Sequence, residues 1–170
     1  MIQLPILTER LIIRRFEEED LEPFLDFMLD AESTKYLMFE DTQKTKTGAK
    51  ELFDFVCASY YSAEPVHSYV IAEKNTSQYL GSCGFADYDD GIVEVYYSIN
   101  EPFRGKTIAT EATKALATRL SPVSEVRAYC HPENKAAHAV AINSGFLSKG
   151  MAMHKNFGIE GLLFVFQCNQ

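Results

Sequence analysis

The spacing of hydrophobic positions changes along the chain between the period of a helix and the period of a strand. Apolar residues recur at helical spacing in four segments, which predicts helices over residues 20–30, 49–61, 107–120 and 135–144. Short apolar runs between polar turns predict strands over residues 11–15, 67–73, 79–87, 92–99, 126–130 and 162–167. The turn sequences AEKNTSQ and YDDG join three of these strands, which indicates an antiparallel meander.

The order of these elements predicts the fold class α/β (α+β). We expect a mixed, mostly antiparallel twisted sheet of about six to seven strands flanked by about four helices. The strand–helix–strand crossovers in the second half of the chain are expected to add parallel pairing. A length of 170 residues suits one domain with a sizeable core, so residues 1–170 are predicted to form a single domain.

Composition narrows the class of protein. Hydrophobic residues make up 46% of the chain, which is typical of globular proteins. The N-terminus does not resemble a signal peptide, and no apolar run reaches the roughly 18 residues of a membrane span, so we predict a cytoplasmic protein without a membrane partner. The net charge of -8 disfavours direct nucleic-acid binding. It suits a cationic acceptor such as an amine, or it serves only solubility.

Cysteine and histidine spacing does not indicate a metal site. The cysteines are far apart and form no CxxC pair, so small buried thiols are expected rather than a disulfide framework: Cys57, Cys83, Cys130 and Cys168. His67 and His154 have no partner at metal-ligand spacing, and we expect structural or surface roles for them. The sequence therefore predicts no metal.

The stretch EPFRGKTIATEATKAL, residues 101–116, carries the clearest chemical signal. Arg104 and Lys106 lie where a helix begins, although the positive end of the helix dipole disfavours cations there. Free backbone N–H groups at a helix start, reached through a loop with Gly105, form a site for an anion. The stretch therefore predicts a bound phosphate group, with a solvated basic loop as the alternative. Neither a Walker loop nor a GxGxxG dinucleotide fingerprint is present.

The sequence from Arg104 to Ala112, RGKTIATEA, resembles the acyl-CoA-binding motif of the GNAT N-acetyltransferase superfamily, often written RGKGIATEA. The preceding residues 93–99, VEVYYSI, are similar to the strand AEIGYWL of the ribosomal-protein N-acetyltransferase (RimJ/RimL-like) branch. Three further stretches agree in order with that branch: LTERL at residues 7–11, LGSCGF at 80–85, and HPENKAA through GF at 131–146. The resemblance covers nearly the whole chain.

This resemblance implies an enzyme that moves an acetyl group directly from acetyl-CoA to a primary amine within one ternary complex. The acceptor would be a small amine or a protein N-terminus, and the protein would be a monomer or a homodimer. The resemblance assigns CoA binding to the end of strand 92–99, to the loop and helix start, and to one asparagine: Tyr97, Ser98, Ile99, Arg104, Gly105, Lys106, Thr107, Ile108, Ala109, Thr110 and Asn134.

Glu94 is the candidate general base that would deprotonate the attacking amine. It shares one strand face with Ile92 and Tyr96, and a Glu is common at this position in the branch. A solvated strand charge and a structural hydrogen bond are the alternatives. The acid that would protonate the leaving thiolate is not assigned, because the usual Ser and Tyr positions carry Ala137 and Ala141. Tyr129, His138, Ser144 or a water molecule would have to replace them.

Two departures from the family pattern, Thr107 and Ala137, leave the function more open. Thr107 stands where the motif usually has Gly, which keeps a catalytically weak acyl-CoA sensor or partner protein as the alternative function. A different phosphate-ligand enzyme is a third hypothesis. The acceptor groove would lie between the segment from about 20 to 61 and a loop around 150–160. Aromatic residues that would line the groove, or belong to the core, are Tyr36, Phe39, Tyr60 and Tyr61.

Overall fold

A sheet of eight strands forms the centre of the fold in residues 2–167, the part of the chain that the computed structural model describes. The strands are β1 Ile6–Leu7, β2 Leu11–Arg14, β3 Ser68–Glu73, β4 Tyr79–Asp89, β5 Ile92–Ile99, β6 Glu125–Cys130, β7 Phe146–His154 and β8 Ile159–Phe166. They lie in the order β1-β2-β3-β4-β5-β6-β8-β7. The predicted mixed, mostly antiparallel sheet is confirmed, with a slightly higher strand count than expected.

Five α-helices accompany the sheet in the described residues: α1 Leu21–Leu29, α2 Ala31–Thr34, α3 Lys46–Ser59, α4 Ile108–Leu120 and α5 Lys135–Asn143. The four predicted helices are confirmed, with ends that differ by up to three residues. The additional α2 is a single turn, too short for a periodic pattern. Its start is fixed by Asp30, whose carboxylate accepts a bond from the Ser33 amide at 2.8 Å.

The helices cover the two faces of the sheet in pairs. On one face α1 packs against α3 through a cluster of aromatic rings, with Phe16 in edge-to-face contact with both Phe24 and Phe53. On the other face α4 packs against β5 and α5. Because side chains alternate along a strand, β5 directs Glu94 and Tyr96 towards one face, whereas Tyr97 points to the other. The candidate site lies where β5 and β6 separate, so it can be reached by side chains from both faces of the sheet.

Strand β7 corrects two expectations. Residues 150–160 were expected to be a loop, but β7 extends to His154 and β8 begins at Ile159, which leaves only a tight turn between them. β7 is an edge strand whose residues are mostly exposed on both faces, with a register shift between Ser148 and Gly150, so it shows no alternation of polar and apolar positions. Because β7 intervenes, β8 pairs with β6 in the antiparallel sense, and the parallel pairing within residues 2–167 is that of β5 with β6.

Two glycines of β4 allow close packing between strands. A Cβ atom on Gly81 would lie 2.2 Å from the Ser98 carbonyl oxygen and 2.9 Å from the Ile99 Cα atom of β5. A Cβ atom on Gly84 would lie 2.1 Å from the His67 carbonyl oxygen and 2.5 Å from the Tyr96 hydroxyl. Because Gly81 has no side chain, the backbone of β5 can pack closely against β4 at this position. Because Gly84 has none, the Tyr96 ring can lie across the sheet above it.

We expect Gly81→Ala to lower the free energy of unfolding by about 1–3 kcal/mol, because the backbone of β5 has to move to admit the methyl group. Urea unfolding would measure the change. Gly91→Asn is the matched control, since Gly91 has a φ of +68° in open space and Asn tolerates that conformation. Equal stabilities of the two variants would contradict this packing role for Gly81.

Candidate active site

A gap opens in the middle of the sheet where β5 and β6 separate. The two strands pair only from Ile92 to Glu94 on β5 and from Glu125 to Arg127 on β6. Beyond that point β5 pairs with β4 alone, so backbone groups of residues 95–99 on the other side have no strand partner. A cavity of about 430 Å³ occupies the gap and continues beneath α1 and α3. It offers space for a ligand along the free edge of β5.

The loop after β5 leads into α4, whose first turn is open to a ligand. Thr107 is the N-cap residue, but its side chain makes no bond to the helix amides. Its hydroxyl instead donates to the Lys106 carbonyl at 2.6 Å. The first helical N–H groups, on Ile108, Ala109 and Thr110, have no intrahelical partner and carry the positive end of the dipole. This arrangement fits the predicted anion site.

Thr107 has a φ of +60°, in the left-handed region that β-branched residues rarely adopt. The Gly that the motif usually has at this position would adopt it without strain. Thr107 is held by Arg10, which donates one bond to its hydroxyl at 2.9 Å and another to the Lys106 carbonyl at 3.0 Å. Thr107 in place of Gly therefore introduces backbone strain, and the two hydrogen bonds from Arg10 stabilise the loop in this conformation.

Glu111 connects this loop support to helix α4. Its carboxylate accepts bonds from the Thr8 hydroxyl at 2.6 Å, from the Arg10 amide at 3.0 Å and from the Arg10 guanidinium at 2.7 Å. Partial burial opposes ionisation of Glu111, but these bonds outweigh it and lower its pKa. Two distant motifs, LTERL and RGKTIATEA, thus meet in one polar network beside the helix start.

We expect Glu111→Gln to lower the free energy of unfolding by about 1–2 kcal/mol at neutral pH. A carboxylate with a lowered pKa in the folded state contributes its full stability above its ordinary value of 4.5 and loses it as the pH falls below that value. Urea unfolding at pH 7 and near pH 3 should therefore show a difference that shrinks in acid. The exposed Glu51→Gln is the control. A difference of the same size at both pH values would contradict this role.

Both cations of the loop lie at its surface. Arg104 donates from Nε to the Ile99 carbonyl at 3.0 Å and from a terminal nitrogen to the Ser33 hydroxyl at 2.5 Å. Lys106 is exposed and lies near the Pro102 carbonyl and the Phe103 ring. Gly105 has a φ of +74° and open space around it. Arg104 therefore ties the end of β5 to α2 while its charge stays beside the helix start.

Glu94 lies at the point where β5 and β6 separate, and it has a partner that the sequence did not reveal. Its carboxylate is 2.6 Å from Nε2 of His154, and both residues line the cavity. His154 is 3% exposed, whereas Glu94 is half-buried and reaches the open space. His154 comes from the end of β7, sixty positions away along the chain. Because β7 was not predicted as a strand, the contact between His154 and Glu94 was not expected.

Aromatic rings enclose His154 and fix its orientation. The rings of Tyr88, Tyr129 and Phe157 lie 4.6–5.0 Å from the imidazole, between ring centres. The Nδ1 atom lies 3.3 Å from the Phe157 amide, which donates to it. With Nδ1 accepting, a neutral imidazole carries its proton on Nε2 and donates to Glu94. His154 therefore bonds one carboxylate oxygen of Glu94 and fixes its position, and the other oxygen is left available to a ligand.

The remaining predicted site residues lie around the same gap. Ser98 Oγ is 3.1 Å from Ser82 Oγ, and Asn134 caps α5 by accepting a bond from the Ala137 amide at 3.1 Å. The Tyr97 side chain crosses the gap, where its hydroxyl donates to the Ala137 carbonyl at 2.8 Å. Burial raises the pKa of Tyr97. Tyr97, Ser98 and Asn134 line the cavity, whereas Ile99 is buried next to it.

The cysteines of the described residues are free thiols: Cys57, Cys83 and Cys130. Cys168 lies outside the described residues. Cys130 lines the cavity, but burial raises its pKa to about 11, so the thiol is neutral at physiological pH. This chemistry argues against a covalent acyl-cysteine and suits direct transfer.

Among the candidate acids, Tyr129 lines the cavity, and its hydroxyl donates to the Tyr88 hydroxyl at 3.1 Å. His138 contacts the His131 carbonyl, and the hydroxyl of the buried Ser144 is bonded to the backbone of its own helix. Neither of these two lines the cavity. Tyr129 is therefore the one of the three sequence candidates that the fold brings to the gap.

The aromatic residues expected at the acceptor groove separate into two groups. Tyr36 and Phe39 line the cavity, and Tyr36 stacks on His131 with ring centres 4.8 Å apart. Tyr60 is buried, with its hydroxyl bonded to the Ser68 carbonyl, and Tyr61 is exposed at the surface. Neither Tyr60 nor Tyr61 lines the cavity. His67 stacks on Phe85, as expected for a structural histidine.

In residues 2–167, no three His, Cys, Asp or Glu side chains are grouped so that they would hold a metal ion. The helices of the same region are all too short or too polar to cross a membrane.

This chain is similar to known acetyltransferases in sequence and in fold. The family model for the acetyltransferase (GNAT) domain matches residues 10–147. The uncharacterized N-acetyltransferase p20 of Bacillus licheniformis is 26% identical over 155 residues, which cover 86% of this chain and 84% of that protein. A GNAT-family acetyltransferase from Bacillus anthracis has a similar fold, with a TM-score of 0.78 and 20% identity over 96% of this chain and 98% of that one.

A CoA complex of RimL, a ribosomal L7/L12 α-N-protein acetyltransferase, also shares the fold. Its TM-score is 0.74 and its identity 14%, with 95% of this chain and 97% of that one covered. Both structural likenesses extend over nearly the whole chain. Since the family model spans most of the chain, the protein belongs to the GNAT acetyltransferase family and is an acetyl-CoA-using acetyltransferase.

Proposed function

We propose that this enzyme is an N-acetyltransferase that moves the acetyl group of acetyl-CoA directly to a primary amine in a ternary complex. The observation that carries the proposal is the geometry of β5. This strand places Glu94, which is bonded to His154 of β7, at the point where β6 separates from β5. It then presents a free backbone edge along the gap and leads into the open start of α4. The free edge of β5 thus connects the candidate base, Glu94, with the candidate anion site at the start of α4.

The start of α4 supports binding of the CoA pyrophosphate. Backbone N–H groups from residue 105 to residue 110 would donate to the phosphate oxygens, helped by the helix dipole, whereas the Arg104 N–H already donates to the Glu101 carbonyl. Arg104 and Lys106 would add charge-assisted bonds. Gly105 lets the chain pass close to the phosphates. Thr107, already bonded to Arg10, would keep its hydroxyl away from the helix amides.

The free edge of β5 supports binding of the pantetheine arm. On the side of the gap, the backbone groups of Tyr97 and the N–H of Ile99 are available for hydrogen bonds. The Ile99 carbonyl accepts the bond from Arg104, and the Ser98 carbonyl faces β4, so Ser98 would contribute through its side chain. A backbone N–H at the gap would also polarise the thioester carbonyl as negative charge develops on its oxygen. The Asn134 amide lines the opposite side and would contact the same arm, while its carbonyl oxygen caps α5.

Glu94 would take the proton from the attacking amine. His154 holds one carboxylate oxygen, so the other faces the cavity in a fixed direction. The amine nitrogen then forms a bond to the acetyl carbon, and the bond from that carbon to the CoA sulfur breaks. The proton stays on Glu94 until solvent removes it, and CoA leaves as a thiolate, which Tyr129 or water would protonate. His154 acts through Glu94 and is a positioning residue.

The likeness to RimL and the order of the sequence motifs support placement in the RimJ/RimL-like branch, as a single GNAT-like domain over residues 1–170. Within that branch the acceptor would be a protein N-terminus or a small amine. A cytoplasmic location and a monomeric or homodimeric state belong to the same proposal.

The second candidate function, an acyl-CoA sensor or partner protein on the same fold, rests on Thr107. Its strained conformation stands at the point where phosphate approaches the backbone. Release of free thiol from acetyl-CoA, followed over a panel of primary amines, separates the two functions. Amine-dependent release supports the transferase. Saturable CoA binding without release for any amine would favour the sensor.

A further inference from the structure

The cavity at the gap has walls of very different chemistry, and this difference bears on the acceptor. At one end it is polar, where Glu94 of β5 lies beside His154. Asp87 of β4 also lines the cavity, but it pairs with Val93 and not with Glu94, which pairs with Ala86. Away from these strands the wall is mainly apolar, although Tyr36, His131 and Asn156 also line it. The apolar side chains come from α1, α3, the segment after α2 and the turn after β7: Met28, Leu37, Met38, Phe39, Leu52 and Phe157.

Charge restricts the ligands that this cavity would accept. In the part of the chain that the structure describes, no lysine or arginine lines it, so a carboxylate on the acceptor would have no lysine or arginine partner there. Glu94 would be used by the reacting amine, and Asp87 lies on the neighbouring strand near the same end of the cavity. A second ammonium group further along an acceptor would therefore face a wall that is mainly apolar and carries no carboxylate among the described residues. Burying an unpaired charge is unfavourable in either case. The cavity therefore matches a ligand with a single positive charge at one end.

The apolar wall also favours a particular body for that ligand. Removing apolar surface from water stabilises a complex in proportion to the area buried. Met38 and Phe157 are each more than half exposed, so the wall reaches the surface and its apolar atoms are free to be covered. On the floor, the Tyr96 ring lies across the sheet above Gly84 and extends the same surface.

We infer that the acceptor is a primary monoamine on an apolar alkyl or aryl body, without a carboxylate or a second ammonium group near the amine. This inference rests on the proposed function, because it places the amine at Glu94. A free arylalkylamine and a polypeptide N-terminus that begins with a large apolar residue present the same chemistry. Polyamines and free amino acids do not.

Two matched pairs of acceptors test the inference through kcat/KM for thiol release. Butylamine against 1,4-diaminobutane differs by one ammonium group, and phenethylamine against phenylalanine differs by one carboxylate. We expect the first member of each pair to be used at least about tenfold better. Peptides beginning with Phe or Ser distinguish the sources: strong use of the Phe peptide indicates a polypeptide acceptor, and strong use of phenethylamine alone indicates a small amine.

A charge placed on the wall provides a second test. Met38→Glu should narrow the preference for butylamine over 1,4-diaminobutane by about tenfold, because the new carboxylate would pair with the second ammonium group. Met151→Glu on β7, at a similarly exposed position outside the cavity, should leave the preference unchanged. Preference for the diamine or the amino acid by the unmodified enzyme would overturn the inference and leave the proposed function standing. No thiol release with any acceptor would overturn the proposed function itself.

Discussion

We expect Glu94→Gln to lower kcat/KM for acetyl transfer by about 10²–10⁴-fold, the range that a positioned general base contributes. The substitution keeps the size of the side chain and its bond to His154, but it removes the group that accepts the proton of the amine. Binding of CoA should be unchanged, because Glu94 lies at the base of the gap, away from the α4 start. Steady-state thiol release and equilibrium CoA binding measure the two quantities.

Two further variants define the role of Glu94. Glu160→Gln removes an exposed carboxylate from β8 and should leave kcat/KM unchanged. His154→Gln should lower kcat less than Glu94→Gln does and alter the pH profile, since it changes only how the carboxylate is held. If Glu94→Gln kept full activity across the pH range, the carboxylate would be structural.

The second large effect is expected on CoA binding. Arg104→Ala should weaken CoA affinity by about ten- to a hundredfold, in line with about 1.5–3 kcal/mol for a hydrogen bond to a charged group. The variant removes a cation beside the phosphates, and it also releases the end of β5 from α2 by deleting the bonds to Ile99 and Ser33. Isothermal titration with CoA measures the change.

Arg119→Ala is the matched control for Arg104→Ala. Arg119 is an exposed cation in the last turn of the same helix, roughly 16 Å from its start at 1.5 Å per residue. It removes the same charge without touching the loop, and its effect on affinity should be small. Equal losses in the two variants would indicate a general electrostatic effect. Unchanged affinity in Arg104→Ala would remove this residue from the CoA site.

Elements whose hydrophobic period is strong could be predicted from the sequence. Helices α1, α3 and α4 each have one buried face, and β3, β4 and β5 are bounded by polar turns, so their pattern matches their structure. Helix α5 was also predicted, although Ala141 is its one buried residue. β7 could not be predicted in this way. An edge strand with exposed Leu147, Met151 and Met153 has no buried face to impose an alternation.

The loop of the candidate site could be predicted because its residues are contiguous. Cations, a glycine and a helix start within RGKTIATEA indicate an anion site by local chemistry alone. The pairs formed across the fold could not be predicted. Glu94 meets His154, and Arg10 meets Glu111, only after the sheet has brought distant segments together. The left-handed conformation of Thr107 was equally hidden, because the sequence showed an unusual residue but not its backbone angle.

The most direct test of the proposed function uses acetyl-CoA with a deuterated acetyl group and a panel of primary amines. Mass spectrometry of the acceptors and measurement of free CoA are made on the same reactions. We expect one labelled acetyl group on the amine nitrogen for each CoA released, with no labelled enzyme. Saturable binding of acetyl-CoA with no labelled amine and no released CoA would contradict the proposal that this protein is an N-acetyltransferase.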